Sequence, residues 1–239
     1  MRNLFITILT IISTSSACTK QVNSKLQPVN SNNNIPVTDT LTYLALGDSY
    51  TIGESVPQAQ SFPYQLAQNL RADGHAVTPD IIAVTGWTTA NLKAGITSRN
   101  LKNHNYNIVT LLIGVNNQYR GLSQTDYRAE FAELLNTAIA YAGGNKKHVF
   151  VVSIPDWGVT PFADGRQRMQ IAAEIDAFNA INKQETEKQG VSYIDITPTS
   201  RRAGYEVDLT AEDGLHPSGK MYGLWVNQLA PVVKQQLGK

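Results

Sequence analysis

The chain has 239 residues, 20 Lys plus Arg against 19 Asp plus Glu, four His, one Cys and 42% hydrophobic residues. The near-zero net charge excludes the concentrated basic surface with which nucleic-acid binders displace counterions from phosphates. The apolar share with scattered Gly and Pro excludes a disordered or collagen-like chain, and the lone cysteine excludes an internal disulfide.

Met1-Arg2-Asn3 opens the chain, and Leu4 to Ile12 is apolar apart from Thr7 and Thr10. Small residues from Ser13 to Ala17 lead to Cys18. A basic start, a short apolar run and a small-residue exit predict an export signal over residues 1–18, too short to span a bilayer. The position of Cys18 resembles the lipobox of bacterial lipoproteins, whose cysteine is lipidated; Ser15 departs from it, where leucine is common. Residues 19–40, rich in Asn, Ser, Gln and Thr, cannot offset their ordering entropy and read as a polar tether. The folded domain is expected over residues 41–239.

In that domain, apolar runs of strand length alternate with helical patterns. Strands are expected at Leu41–Leu46, Val77–Val84, Ile108–Ile113, Val149–Ile154 and Val191–Ile196. Helices are expected from Ser61 to Gly74, around Leu92 and Ile96, from Ser123 to Gly143, from about Gly165 to Lys188, and from Pro217 through a kink at Pro231. Ser61 and Ser123 stand at capping positions, the second with Asp126 as a capping box. Uninterrupted apolar strands separated by amphipathic helices imply a parallel sheet covered on both faces, with every strand's carboxyl end at one edge, where ligands of such sheets bind.

Chemistry-bearing residues collect at that edge. The first strand leads into Gly47-Asp48-Ser49-Tyr50, the second into Thr85-Gly86-Trp87, the third into Gly114-Val115-Asn116-Asn117 and the fourth into Pro155-Asp156-Trp157. After the fifth, a loop carries Asp213-Gly214-Leu215-His216-Pro217. A serine hydroxyl needs a base to become a nucleophile, and an imidazole oriented by a carboxylate is suited to that near neutral pH. Ser49, His216 and Asp213 are the candidates. The oxyanion of an acyl-transfer intermediate needs preorganised donors, which the N–H groups of Ser49 and Gly86 and the Asn116 amide could supply.

Gly47-Asp48-Ser49, Gly86, Gly114-x-Asn116 and Asp213-x-x-His216 resemble, in order, the four blocks of the GDSL/SGNH hydrolases, and the resemblance runs from about Leu41 to the C-terminus. It implies a flavodoxin-like three-layer α/β/α sandwich with a five-stranded parallel sheet. It also implies ester hydrolysis through a Ser49–His216–Asp213 triad with Ser49, Gly86 and Asn116 as oxyanion donors, without metal or cofactor. Tyr50 departs from the pattern where leucine is usual, and Asn117 where aspartate is usual.

Asp156, also at the active edge, rivals Asp213 as the third triad member; spacing and the family pattern favour Asp213. Trp87, Asn117, Tyr119 and Trp157, with Phe162, are candidates to line a substrate pocket, whether by stacking on a sugar or by packing the rim. No His/Cys/Asp cluster has metal-ligand spacing. The expectation is a serine esterase held in the bacterial cell envelope by an N-terminal lipid anchor, with a carbohydrate O-acetyl or short-chain ester as substrate. A lysophospholipase or thioesterase, an O-acyltransferase and a non-catalytic glycan-binding module are the alternatives.

Overall fold

The computed structural model describes residues 39–102 and 105–238. The expected signal, Cys18 and the tether up to residue 38 lie outside the described residues, as does His104. Five strands form one parallel sheet in the order β2-β1-β3-β4-β5, with β1 at Asp39–Gly47, β2 at His75–Ala83, β3 at Ile108–Leu112, β4 at Val149–Val152 and β5 at Ser192–Ile194. Helices lie on both sides, the expected α/β/α sandwich. On one side α2 (Phe62–Ala72) packs on α8 (Gly219–Gln236); on the other α5 (Gln124–Tyr141) packs between α3 (Thr89–Arg99) and α6 (Arg168–Gln189).

The central strands are apolar because both of their faces are covered: every residue of β3 is buried without exposure. β1 begins two residues earlier than expected, since Asp39 and Thr40 continue the ladder opposite His75 and Ala76. β4 and β5 are shorter than their apolar runs, and buried polar side chains account for this. Asn179 of α6 takes both backbone groups of Ile154, accepting its N–H at 2.8 Å and donating to its carbonyl at 2.9 Å. The Ser153 hydroxyl accepts the N–H groups of Ile196 and Thr197 at 2.8 and 3.1 Å. Backbone groups satisfied by side chains are withdrawn from the ladder, so the run continues but the pairing stops.

Helix starts follow the same logic. Ser123 caps α5, accepting the Asp126 N–H at 3.3 Å. The reciprocal capping box occurs at Thr88 and Asn91, where α3 begins. Ser61 occupies the cap of α2, but its hydroxyl donates to the Gln58 carbonyl at 2.9 Å instead of capping. Helix α8 extends as one element through Pro231. Three short helices that have too few residues to show a period complete the active edge: α1 (Ser49–Ile52), α4 (Val115–Tyr119) and α7 (Thr197–Ser200).

Candidate active site

The turn out of β1 is built by Asp48. Its carboxylate accepts the Tyr50 N–H at 3.0 Å and its carbonyl accepts those of Thr51 and Ile52, which fixes Ser49 as the first residue of α1. The Ser49 N–H is left without an acceptor among the described residues. Helix starts carry such unsatisfied donors by construction. Asp48 itself is fully buried and its second carboxylate oxygen has no partner among the described residues. Burial therefore pushes its carboxyl up to about 7, against the opposing pull of the Tyr50 N–H.

The second and third expected donors, Gly86 and Asn116, lie after β2 and β3. Gly86 has φ +81°, a backbone conformation that side-chain-bearing residues rarely adopt. Its carbonyl is held by the Arg120 guanidinium at 2.6 Å, and its N–H carries no hydrogen bond to a described residue. Gly114, at φ +130°, turns the chain into α4 where a Cβ would stand 2.3 Å from the Tyr127 hydroxyl. Two residues on, the Asn116 side-chain amide donates to the Trp87 carbonyl at 3.0 Å. An amide nitrogen has a second hydrogen, so that bond orients Asn116 and leaves one donor over.

Asp213 and His216 form a closed local unit. One Asp213 oxygen accepts the backbone N–H groups of Leu215 and His216, each at 2.9 Å. The other lies 2.6 Å from the His216 Nδ1 and accepts the Ser55 hydroxyl, also at 2.6 Å. Partial burial works to raise the Asp213 carboxyl, but these four bonds outweigh it and hold the group well below the usual carboxylate range. An ionised Asp213 keeps the proton of His216 on Nδ1, and its Nε2 is then an acceptor. Tyr50, at the departure from the GDSL pattern, sets its buried ring edge-on to the imidazole with centroids 5.5 Å apart.

Ser49, Gly86, Asn116 and His216 line one cleft of about 190 Å³. Ser49 and His216 face it together without a hydrogen bond between them; such bonds are often long before substrate binds. Of the expected pocket residues, Tyr119, Trp157 and Phe162 line this cleft. Trp87 and Asn117 do not. The Trp87 ring lies on α3 against Gly95, where a Cβ would come within 2.2 Å of it, and only its carbonyl serves the site. Asn117 is buried and joined to Thr89 by two hydrogen bonds, of 3.0 and 2.7 Å, which tie α4 to the start of α3. Asn117 points about 100° further round α4 than Asn116, toward α3 rather than the cleft.

Asp156 is equally committed elsewhere: it accepts the Gly158 N–H at 2.8 Å and pairs with Arg201 at 2.9 Å. Ser55 and Arg120 escaped the sequence reading. Ser55 lies 158 positions from the carboxylate it contacts, and no local pattern announces that pairing. Its positive φ of 63°, unusual outside glycine, is visible only in the fold. Among the described residues no group of His, Cys, Asp or Glu could hold a metal ion, and no helix is long and apolar enough to cross a membrane.

The sequence profile of the GDSL-like Lipase/Acylhydrolase family matches residues 45–224. No curated protein sequence matches. Among solved structures, TesA aligns with a TM-score of 0.64 and 18% identity, over 82% of this chain and 99% of its own. The esterase EstA from Pseudoalteromonas sp. aligns with a TM-score of 0.60 and 18% identity, over 83% and 99%. The acetyl xylan esterase AlAXEase aligns with 0.63 and 14%, over 81% and 100%. At these identities the structural likeness speaks for the fold.

Proposed function

The chain belongs to the GDSL-like lipase/acylhydrolase family, and from that premise we propose that it hydrolyses carboxylic esters, small acyl groups on carbohydrate or similar alcohols, through a serine triad. The observation that carries this reading is the Asp213–His216 pair at 2.6 Å, facing the same cleft as Ser49 and the unused N–H of Gly86. In this mechanism His216 Nε2 takes the proton from Ser49 Oγ as it attacks the ester carbonyl. The oxyanion that forms draws on the N–H groups of Ser49 and Gly86 and the free Asn116 amide hydrogen. His216 then passes the proton to the departing alcohol, and water releases the acyl-enzyme by the same steps reversed.

A cleft of about 190 Å³ has room for a short acyl chain, and acetyl xylan esterases share the fold. The shared fold is the ground for placing acetyl ahead of long-chain esters. The test is release of nitrophenol from acetyl, butyryl and octanoyl esters by residues 39–239 and the Ser49→Ala variant. The expected result is turnover falling with chain length and reduced about 10⁶-fold in the variant. An octanoyl preference would instead point to lipid substrates, and equal rates in the two proteins would sink the serine mechanism.

The reading extends to location. We propose export and lipid attachment through Cys18, so Cys18→Ser should move the full-length protein from the membrane fraction to the soluble one. An unchanged distribution would remove the anchor from the proposal.

A further inference from the structure

Part of the cleft wall is aromatic. Tyr119, Trp157 and Phe162 meet one another with ring centroids 5.4 to 6.3 Å apart. Trp157 is the fixed member, buried to 4% exposure and donating its indole N–H to Gln118 at 2.8 Å. Tyr119 and Phe162 stand open to solvent. Above this trio sits Arg166, from the loop between β4 and α6. Its guanidinium carbon lies 4.9 Å from the Phe162 centroid, 5.5 Å from Trp157 and 5.6 Å from Tyr119.

An exposed arginine ordinarily samples many rotamers, and holding it still costs entropy. Here cation–π attraction to three rings does the holding. No described carboxylate pairs with Arg166, and its side chain makes no hydrogen bond to a described residue. Its neighbours are spent otherwise: Arg168 pairs with Asp164 and Arg201 with Asp156 and Asp176. Arg120, next to Tyr119, gives one bond to the Gly86 carbonyl and likewise has no acidic partner among the described residues. Two carboxylates bonded to cleft-lining residues have other partners than Arg166, Asp213 with Ser55 and His216, Glu54 with the Thr85 hydroxyl. The aromatic rim of the cleft thus carries a positioned cation whose planar donors are unused among the described residues.

We propose that this rim selects esters whose alcohol portion bears an oxyanion, a carboxylate or a phosphate, which Arg166 holds through its guanidinium edge while the aromatic rings face the adjoining ring or chain. Guanidinium presents paired N–H groups that match either oxyanion, and a charge-assisted bond of this kind discriminates strongly against a neutral isostere. The acyl group is taken as small, so the anionic group belongs to the leaving alcohol. This selectivity rests on the serine-esterase reading.

The test compares 4-acetoxybenzoate with its neutral counterpart 4-acetoxybenzamide, and adds 4-acetoxyphenyl phosphate as the second oxyanion. The wild type should prefer the anionic esters by about tenfold in kcat/KM, expressed mainly in KM, and the preference should shrink as salt rises. Arg166→Gln should bring the ratio close to one, and Arg166→Lys should restore part of it. Preference for the carboxylate or for the phosphate names which oxyanion is the better fit. Equal turnover of anionic and neutral esters, or a preference that survives Arg166→Gln, overturns the selectivity while leaving the esterase intact. Absence of any Ser49-dependent turnover overturns both.

Discussion

Asp213→Asn is expected to lower kcat for acetyl esters by about 10⁴-fold with KM little changed. The argument lies in which oxygen does what. One Asp213 oxygen accepts two backbone N–H groups, from Leu215 and His216, and an amide placed there must keep its carbonyl oxygen on that side. The NH₂ then faces His216 Nδ1. Two donors cannot share one hydrogen bond, so the imidazole would adopt the other tautomer, with its proton on Nε2. In that form it cannot accept the proton of Ser49. Asp156→Ala makes the contrasting case. Its carboxylate is nearly inaccessible and pairs with Arg201, which retains Asp176 at 2.8 Å as a second partner. Its removal should cost about 2–3 kcal/mol of stability and leave the turnover of folded protein within about tenfold. Kinetics and thermal melts on both variants decide the question, and a larger kcat loss at Asp156 would reverse the assignment.

Asp48→Asn is expected to become more stable, relative to the wild type, as pH rises from about 4 to 8. The buried Asp48 carboxyl is pushed up to about 7, so between its ordinary 3.8 and that value the folded chain holds a proton that the unfolded chain has released. Stability linked to this group is complete below about 4 and is lost as pH climbs toward 7, above which the loss levels off. Asparagine is neutral throughout and keeps an oxygen for the Tyr50 N–H, so it removes this dependence. At about 1.4 kcal/mol per pH unit the relative gain is about 4 kcal/mol, or roughly 8–16 °C in Tm. Melting both proteins at pH 4, 6 and 8 measures it. Parallel profiles would mean that Asp48 is ionised in the fold or solvated in a way its burial does not suggest.

The strands could be read from the sequence because burial on both faces demands apolar side chains at every position, as Ile108–Leu112 illustrates. Strand ends were less legible. Ser153 and Asn179 end the pairing of β4 and β5 from positions whose role depends on neighbours far along the chain. The site divides the same way. Ser49, Gly86, Asn116 and His216 each follow from the end of an element plus a chemical requirement, and all reach one cleft. The contacts made across long separations, Ser55 on Asp213 and Arg166 on Tyr119, have no sequence period or spacing to reveal them. Asn117 shows the limit from the other side. Proximity to a functional residue in sequence is no guide to direction when both sit on one turn of helix.

The strand order places β1 beside β2 and β3, so the turn bearing Ser49 is formed within the first half of the chain, whereas Asp213 and His216 arrive only with the loop before α8. A chain ending at Ser200 would contain all five strands and neither of those two residues. Synthesis therefore leaves the serine without its base until almost the last segment has docked. Catalytic competence, under the proposed mechanism, becomes a readout of completed folding, and a partly made chain carries a hydroxyl that cannot yet attack the esters around it.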